Sequence, residues 1–516
     1  MKFVEHPLIR KHSLESRTYQ EAILGKAVGE NLLCVLPTGL GKTPIAILLS
    51  VFRLEKYPDS QILVLAPTKP LIEQHLETFR KTINLPETEF ALLTGMVKPE
   101  EREKKYKQSK IIFATPQTVR NDLKNGRLDL AKFSLVVFDE AHHSIGDYAY
   151  PYIADVYVGN SQNPRILGLT ASPGGTKEKI DEIMKNLGIE SVEIRTEEDL
   201  DVAPFVKKKQ IVWVHVELPP AFVSIRESLR KAYDRRIRQL RRIGFTKPAR
   251  LVTKRDLLDL QKRLASDDSL GYKKFWGVSL VSQAIKAEHA LTLIETQGVD
   301  SLQEYFKKLL SEKSKSSRSL VKDTNIKKAM ATSGKLSREG YKHPKIRRIC
   351  EIVSSQFREN PRSKIIIFAN YRNMVKEIVN VLSRVEGSKP VEFMGQREGL
   401  TQKEQKKRIS EFRKSNYNIL VTTSVGEEGI DIPEMELAVF YEPVPSEIRS
   451  IQRRGRVGRT KLGKVMILMT KKTRDEAYYW TAHRKERLMK NTLYRMKGEE
   501  PTKKKGQMKL EDFKDL

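Results

Sequence analysis

The sequence predicts an α/β protein with two parallel-sheet domains and a helical insertion domain between them. Three observations support this reading. Short apolar runs alternate with amphipathic stretches over residues 30–170, as expected for parallel strands covered on both faces. The same alternation returns from Pro344. Over about 220–345 the apolar residues recur at helical spacing instead.

A chain of 516 residues exceeds one ordinary domain. The expected division is 1–210, 211–345, 346–480, and a C-terminal helix with a charged tail over 481–516. First-domain strands are expected at Asn31–Leu36, Gln61–Ala66, Ile111–Ala114, Leu135–Phe138 and Ile166–Leu169. Second-domain strands are expected at Lys364–Phe368, Val391–Phe393, Ile419–Thr422, Leu437–Tyr441 and Val465–Met469. In the insertion, Phe222, Ile225, Leu229, Tyr233, Ile237 and Leu240 form one helical stripe. Val281, Ile285, Leu291 and Ile294 form another, and Leu302, Tyr305, Phe306 and Leu309 a third. The Ser/Lys-rich stretch Ser311–Gly340 reads as a mobile connection.

Composition narrows the function. No apolar run approaches the roughly 20 residues that span a bilayer. The N-terminus, Met1 to Lys11, lacks an apolar signal core. The expected setting is intracellular, cytoplasmic or nucleoid-associated. Cys34 and Cys350 fall in apolar segments and read as buried free thiols. The net charge is +30, which suits a polyphosphate backbone as partner. Residues 220–345 hold 29 basic and 13 acidic residues, so about half of that excess lies in a quarter of the chain.

The first strand runs into Pro37-Thr38-Gly39-Leu40-Gly41-Lys42-Thr43 and then into a helix. Gly39 and Gly41 let the backbone approach phosphate without a Cβ clash. Thr38 and its neighbours offer N–H groups at a helix N-terminus, where anions bind. Lys42 is placed for the β- and γ-phosphates of ATP, and Thr43 for Mg²⁺. Leu36 stands where the general pattern has its first glycine. Asp139-Glu140-Ala141-His142 ends the strand 135–138; Asp139 is placed to bind Mg²⁺ through water and Glu140 to orient and deprotonate the attacking water. A zinc site at His142 and His143 is not expected, because adjacent histidines should point apart. Gln20 is expected to read an adenine edge, with Tyr19 or Arg17 stacking on the base.

These residues make the chain resemble a superfamily 2 helicase, with two RecA-like domains, over nearly its whole length. Ala66-Pro67-Thr68, Thr94-Gly95 and Thr115-Pro116-Gln117 resemble that family's strand-binding loops, and Thr170-Ala171-Ser172 its coupling motif. The resemblance implies nucleic-acid contacts at Pro67, Thr68, Thr94, Gly95, Thr115, Thr170 and Ser172. Ile366 to Arg372 resembles the opening motif of the second domain. Thr422 to Pro433 resembles the motif that touches strand and nucleotide, implying roles for Thr422, Thr423, Gly429 and Asp431. Gln452-Arg453-Arg454-Gly455-Arg456-Val457-Gly458-Arg459 matches the arginine-finger motif, implying catalytic roles for Gln452, Arg456 and Arg459.

Within that superfamily, the motifs and the insertion resemble the archaeal helicase–nuclease Hef and the Fanconi anaemia group M and Mph-type DNA translocases. The resemblance implies an ATP-dependent helicase or translocase on forked or branched DNA, acting in replication-fork repair. RIG-I-like and Dicer helicases share the insertion, so an RNA or double-stranded-RNA helicase is the alternative. A junction-binding scaffold that recruits a nuclease or clamp is another. Arg235, Arg236, Arg238, Arg241 and Arg242 are candidate phosphate contacts, with Lys254, Arg255, Lys262 and Arg263 as a second basic face. The sequence lacks the Glu-Arg-Lys-x-x-x-Asp nuclease pattern of Hef-like proteins, which leaves two readings: the helicase part of a longer protein, with a nuclease domain or subunit as partner, or a family member without nuclease. Gln507, Leu510 and Phe513 resemble a sliding-clamp peptide.

Overall fold

The computed structural model describes residues 2–206, 209–267, 272–395, 401–423, 435–454 and 463–496. Two all-parallel sheets organise it. The first contains β1 (Leu32–Val35), β2 (Gln61–Leu65), β3 (Phe90–Leu93), β4 (Ile111–Ala114), β5 (Phe133–Asp139), β6 (Ile166–Thr170) and β7 (Ser191–Ile194), in the order β3-β4-β2-β5-β6-β1-β7. Alternate residues of one strand feed opposite faces: Leu32 and Cys34 pack with Ile45 and Phe79, whereas Leu33 and Val35 pack with Tyr150 and Ile153. That period of two, with helices on both faces, explains the near-continuous apolar strands.

The second sheet contains β8 (Lys209–Val216), β9 (Ile365–Phe368), β10 (Pro390–Phe393), β11 (Ile419–Thr422), β12 (Leu437–Phe440) and β13 (Gly463–Thr470), in the order β10-β11-β9-β12-β13-β8. All ten expected strands form. The expectation omitted β3, β7 and β8. β7 is not a continuous apolar run, because Ser191 and Glu193 alternate with Val192 and Ile194, and β3 is an apolar run no shorter than several of the strands that were expected. β8 pairs along its whole length with β13, from Lys209 with Gly463 to Val216 with Thr470. Residues 209–216 therefore join the second sheet, and the insertion begins with the helix Pro220–Leu240.

Among the described residues the insertion is a bundle of six α-helices: Pro220–Leu240, Lys254–Ser266, Tyr272–Thr296, Val299–Ser311, Lys315–Val321 and Thr324–Arg338. The three expected stripes meet in one core with Leu257, Leu260, Ile326 and Ala329. Two expectations are corrected here. Ser311–Gly340 is not a loose connection, because Leu320, Ile326 and Ala329 are buried in that core and Asp323 caps the last helix through the N–H of Asn325 at 2.8 Å. Its lysines are exposed, whereas Ser316, Ser317 and Ser333 are buried with the apolar residues. Arg236 is not a phosphate contact: it is 5% exposed and its guanidinium bonds Asp323 and Gln283 inside the bundle.

Several contacts among the described residues link the halves. Lys406 reaches Glu73 of the first domain at 2.9 Å. The C-terminal helix Arg474–Met496 starts against the second domain and seats Met489 and Leu493 in the first domain's core. No helix among the described residues is long and apolar enough to cross a membrane.

Asp323 is the bundle's buried point of failure. Removing it leaves Arg236 charged and buried, a loss of about 3–5 kcal/mol. Asp323→Ala should therefore lower the thermal midpoint far more than Asp259→Ala on the exposed face. Burial alone would raise the Asp323 carboxyl, but Arg236, the Asn325 N–H and Arg235 together hold the pKa below the usual range. Its stabilisation is thus complete above the unfolded value of about 3.9 and is lost as pH falls through the folded value. An acid-unfolding midpoint unchanged in Asp323→Asn would contradict this.

Candidate nucleotide site and nucleic-acid interface

Every first-domain motif sits at the carboxyl end of a strand, the edge where open parallel sheets bind ligands. β1 leads through Leu36 into the loop 37–41 and the helix Lys42–Lys56. Gly39 (φ +84°) and Gly41 (φ +81°) are left-handed, a region that favours glycine. A Cβ on Gly41 would lie 2.3 Å from the Gln20 amide nitrogen. Lys42 donates to the Leu36 carbonyl at 3.2 Å, so its ammonium lies within the loop. Thr38 and Thr43 are half-buried beside it.

Asp139, at the end of β5, is 4% exposed and accepts a 2.7 Å hydrogen bond from His75. The Tyr150 hydroxyl donates to the Asp139 carbonyl at 2.7 Å. Burial pushes the Asp139 carboxyl up, but His75, Lys42 and the Glu140 N–H together hold it below the ordinary range. His75 was missed in the sequence. Its signal was its place among Ile72, Leu76 and Phe79, on the inner face of the helix Lys69–Thr82. Glu140 takes the left-handed conformation (φ +50°), rare for a residue with a Cβ and the kind of strain found at functional sites. Its carboxylate lies 3.3 Å from His142 Nδ1, and that nitrogen lies 3.2 Å from the Thr170 hydroxyl. The Ser172 N–H also bonds the Thr170 hydroxyl, at 3.2 Å. Asp139, Glu140, His142, Thr170 and Ser172 thus form one connected edge. A nucleotide triphosphate with a divalent cation fits this donor set: a loop of N–H groups, an ammonium, a hydroxyl and an anionic carboxylate held in its charged form.

Several expectations change. The His142 and His143 rings stack, with centroids 4.6 Å apart, rather than pointing apart. Tyr19 is fully buried and donates to the Leu40 carbonyl at 2.7 Å, so it cannot stack on a base. Arg17 covers the Phe205 ring at 4.6 Å and pairs with Glu15 at 2.8 Å. Gln20 is 2% exposed and donates to the Leu40 and Gly41 carbonyls at 3.4 and 3.3 Å. All three brace the phosphate loop from behind.

Just beyond β2, β3 and β4, Pro67, Thr68 and Thr115 are half-buried and Gly95 is exposed, whereas Thr94 is buried. The Thr68 and Ser172 hydroxyls are buried with no hydrogen-bond partner among the described residues. Thr170, Thr422 and Thr423 are buried, and the Thr422 hydroxyl donates to the Thr423 carbonyl at 3.1 Å. β6 runs one residue further than expected, to Thr170, whereas β11 ends at Thr422 as expected. Gln452 lies in the helix Glu447–Arg454. Gly429, Asp431, Arg456, Arg459, Gln507, Leu510 and Phe513 lie outside the described residues. On the insertion, Arg235, Arg238, Arg241, Arg242, Lys254 and Arg255 are exposed. Arg235 also reaches Asp323 at 3.1 Å.

Residues 17–180 match the DEAD/DEAH box helicase family, and residues 344–461 match the helicase conserved C-terminal domain. Residues 221–339 match a family described as "Putative ATP-dependent RNA helicase, helical bundle". The crystal structure of the Pyrococcus furiosus Hef helicase domain is 45% identical with a TM-score of 0.72, covering 92% of this chain and 100% of that one. The chain belongs to the Hef-type DEAD/DEAH-box helicases. A Methanocaldococcus jannaschii relative, "Putative ATP-dependent RNA helicase MJ1505", is 42% identical over 96% of this chain and 63% of its own length. The ATP-dependent DNA helicase mph1 of Aspergillus niger is 33% identical over 90% of this chain and 44% of its own. The ATP-dependent DNA helicase fml1 of Schizosaccharomyces pombe is 30% identical over 97% and 62%. This Hef-type chain therefore spans less than two-thirds of each of these three relatives.

In this helicase, His75→Phe keeps the volume beside Asp139 but removes its hydrogen bond. The Asp139 pKa should rise, so the acid limb of the ATPase pH profile should move to higher pH; an unmoved limb would refute the link. Gly41→Ala should raise the KM for ATP by about tenfold, since strain of ~1–2 kcal/mol adds to displacement of the Gln20 amide.

Proposed function

We propose that this chain is an ATP-driven motor that remodels forked or branched DNA in fork repair. The observation that carries this is the exposed basic face of the insertion, Arg238, Arg241, Arg242, Lys254 and Arg255, on a bundle set between two helicase halves. Such a face holds phosphates without reading base sequence. The short strand-end loops, Pro67–Thr68, Gly95 and Thr115, would grip the tracked strand in the same way. The names of the mph1 and fml1 relatives favour DNA.

Bound Mg²⁺–ATP would supply the phosphoanhydride whose cleavage drives the cycle. Lys42 and the loop 37–41 would hold the phosphates, and Thr43 and Asp139 the metal. Glu140 would take the proton from the attacking water, its strained backbone fixing the carboxylate's direction. Arg456 and Arg459 would reach the γ-phosphate only when the halves close, so nucleotide would favour the closed state. The His142–Thr170–Ser172 hydrogen bonds would carry the state of Glu140 to the strand-binding edge.

A second reading, an RNA helicase, is favoured by the name of the 42% identical M. jannaschii relative. Steady-state ATPase measured with single strands, duplex, fork, four-way junction and matched RNA separates the two, with Lys42→Ala as the blank. Forks and junctions should stimulate most; stimulation chiefly by RNA would overturn the DNA assignment. Replacing Arg238, Arg241 and Arg242 together by Glu should weaken fork binding and reduce the slope of log affinity against log salt by about three. Unchanged binding at physiological salt would sink the basic face as the DNA contact.

A further inference from the structure

The insertion and the second domain meet across a buried polar joint. Its centre is Glu442, just beyond β12 and 3% exposed. One carboxylate oxygen accepts the Gln297 side-chain amide at 3.2 Å and the Asn370 N–H at 2.8 Å. Gln297 is 2% exposed and follows the insertion's longest helix, Tyr272–Thr296. Asn370, just beyond β9, accepts Arg453 through its side-chain oxygen at 2.8 Å. The Glu442 carbonyl accepts the same guanidinium at 3.3 Å. Arg453 is fully buried between the Phe368 and Phe440 rings, 5.1 and 5.5 Å from their centroids. It belongs to the helix Glu447–Arg454, which leads directly into Arg456 and Arg459.

Three hydrogen-bonded links therefore join the end of the insertion's longest helix to the root of the arginine segment. The joint is also anchored around its edge. Arg474 bonds Thr292 at 2.8 Å, Glu288 at 3.0 Å and Glu295 at 3.2 Å, and Lys345 pairs with Asp475 at 2.5 Å. Apolar side chains of the same volume would seal such a joint with less desolvation. A directional network does something apolar packing does not: it fixes the angle between the two elements, and each polar group must move with its partner or be left unsatisfied.

We propose that Gln297 is a positioning residue for the arginine segment, transmitting load on the basic insertion to the seat of Arg453 and so to Arg456 and Arg459. This rests on the motor reading above and deepens it, because it assigns the route by which nucleic acid bound to the insertion sets the rate of ATP turnover. Gln297 touches neither nucleotide nor strand, so its effect falls on the coupling between the two.

Gln297→Leu and the exchange Gln297→Glu with Glu442→Gln test it. The exchange keeps one amide donating to one carboxylate across the joint, with the partners reversed. In Gln297→Leu, fork-stimulated kcat should fall about fivefold or more, the lower range of allosteric couplings. The KM for ATP and the fork affinity should stay within about twofold. The exchange should recover most of the stimulation, which a variant that merely misfolds would not. Amide hydrogen exchange over Glu447–Arg454 supplies a readout independent of activity: protection should drop in Gln297→Leu and return in the exchange. Unchanged protection overturns the proposal whether or not the chain proves to be a DNA motor. Unchanged stimulation with lowered protection overturns the transmission, and parallel loss of fork affinity reduces Gln297 to a structural contact. If the parent shows no nucleic-acid stimulation, the motor reading fails, and the transmission that rests on it falls too, leaving Gln297 only a structural brace for Arg453.

Discussion

The parallel pairing of the strands governs everything else. Within each sheet every strand among the described residues points the same way. Each connection must therefore cross back over a face, which buries both faces and collects the strand-end loops on one edge. The phosphate loop after β1, Asp139 after β5 and Thr170 after β6 lie side by side because β1, β6 and β5 are consecutive in the sheet. In the second sheet the same rule brings Asn370 after β9 beside Glu442 after β12, and those strands too are neighbours. The nucleotide edge and the polar joint are two products of one topological constraint.

The net charge of +30 divides into two populations with different jobs. Arg238, Arg241, Arg242 and Lys254 are exposed on the insertion. Arg236, Lys345 and Arg453 are buried, each held by a specific acceptor: Asp323, Asp475 and Asn370. The helix Pro220–Leu240 contains both kinds one residue apart, because a helix turns about 100° per residue. Arg235 faces out and Arg236 faces in. A buried cation of this kind loses hydration, and its partner restores only part of that. Its value lies in geometry, which suits an assembly whose parts must turn together.

This division also explains what the sequence could tell. The phosphate loop, the Asp139–Glu140 pair and the ten anticipated strands were legible because each depends on residues within a few positions of one another. The misreadings share the opposite trait. Tyr19 was expected on a base, but its partner is the Leu40 carbonyl, 21 residues on. Arg236 was expected on DNA, but its partner Asp323 lies 87 residues away. His75 drew no notice, although it contacts Asp139 across 64 residues. The stretch 311–340 looked unstructured because its serines and lysines outnumber its few apolar residues. Those few, Leu320, Ile326 and Ala329, are enough to bury one face of two short helices.

The helix Glu447–Arg454 is held from two sides by consecutive arginines. Arg453 points inward to Asn370 and Glu442, and through them to the insertion. Arg454 points outward and pairs with Glu486 at 2.5 Å, on the helix Arg474–Met496. That second helix carries Met489 and Leu493 into the first domain's core and its Tyr494 hydroxyl to Glu198 at 3.0 Å. One arginine is therefore linked to the insertion, and its neighbour to the helix that reaches the first domain. On the motor reading, these are the two links the arginine segment must combine, since it should meet the γ-phosphate only when nucleic acid is engaged and the halves are closed. Placing the two supports on adjacent residues makes one rigid helix respond to both, with no need for a longer relay through either core.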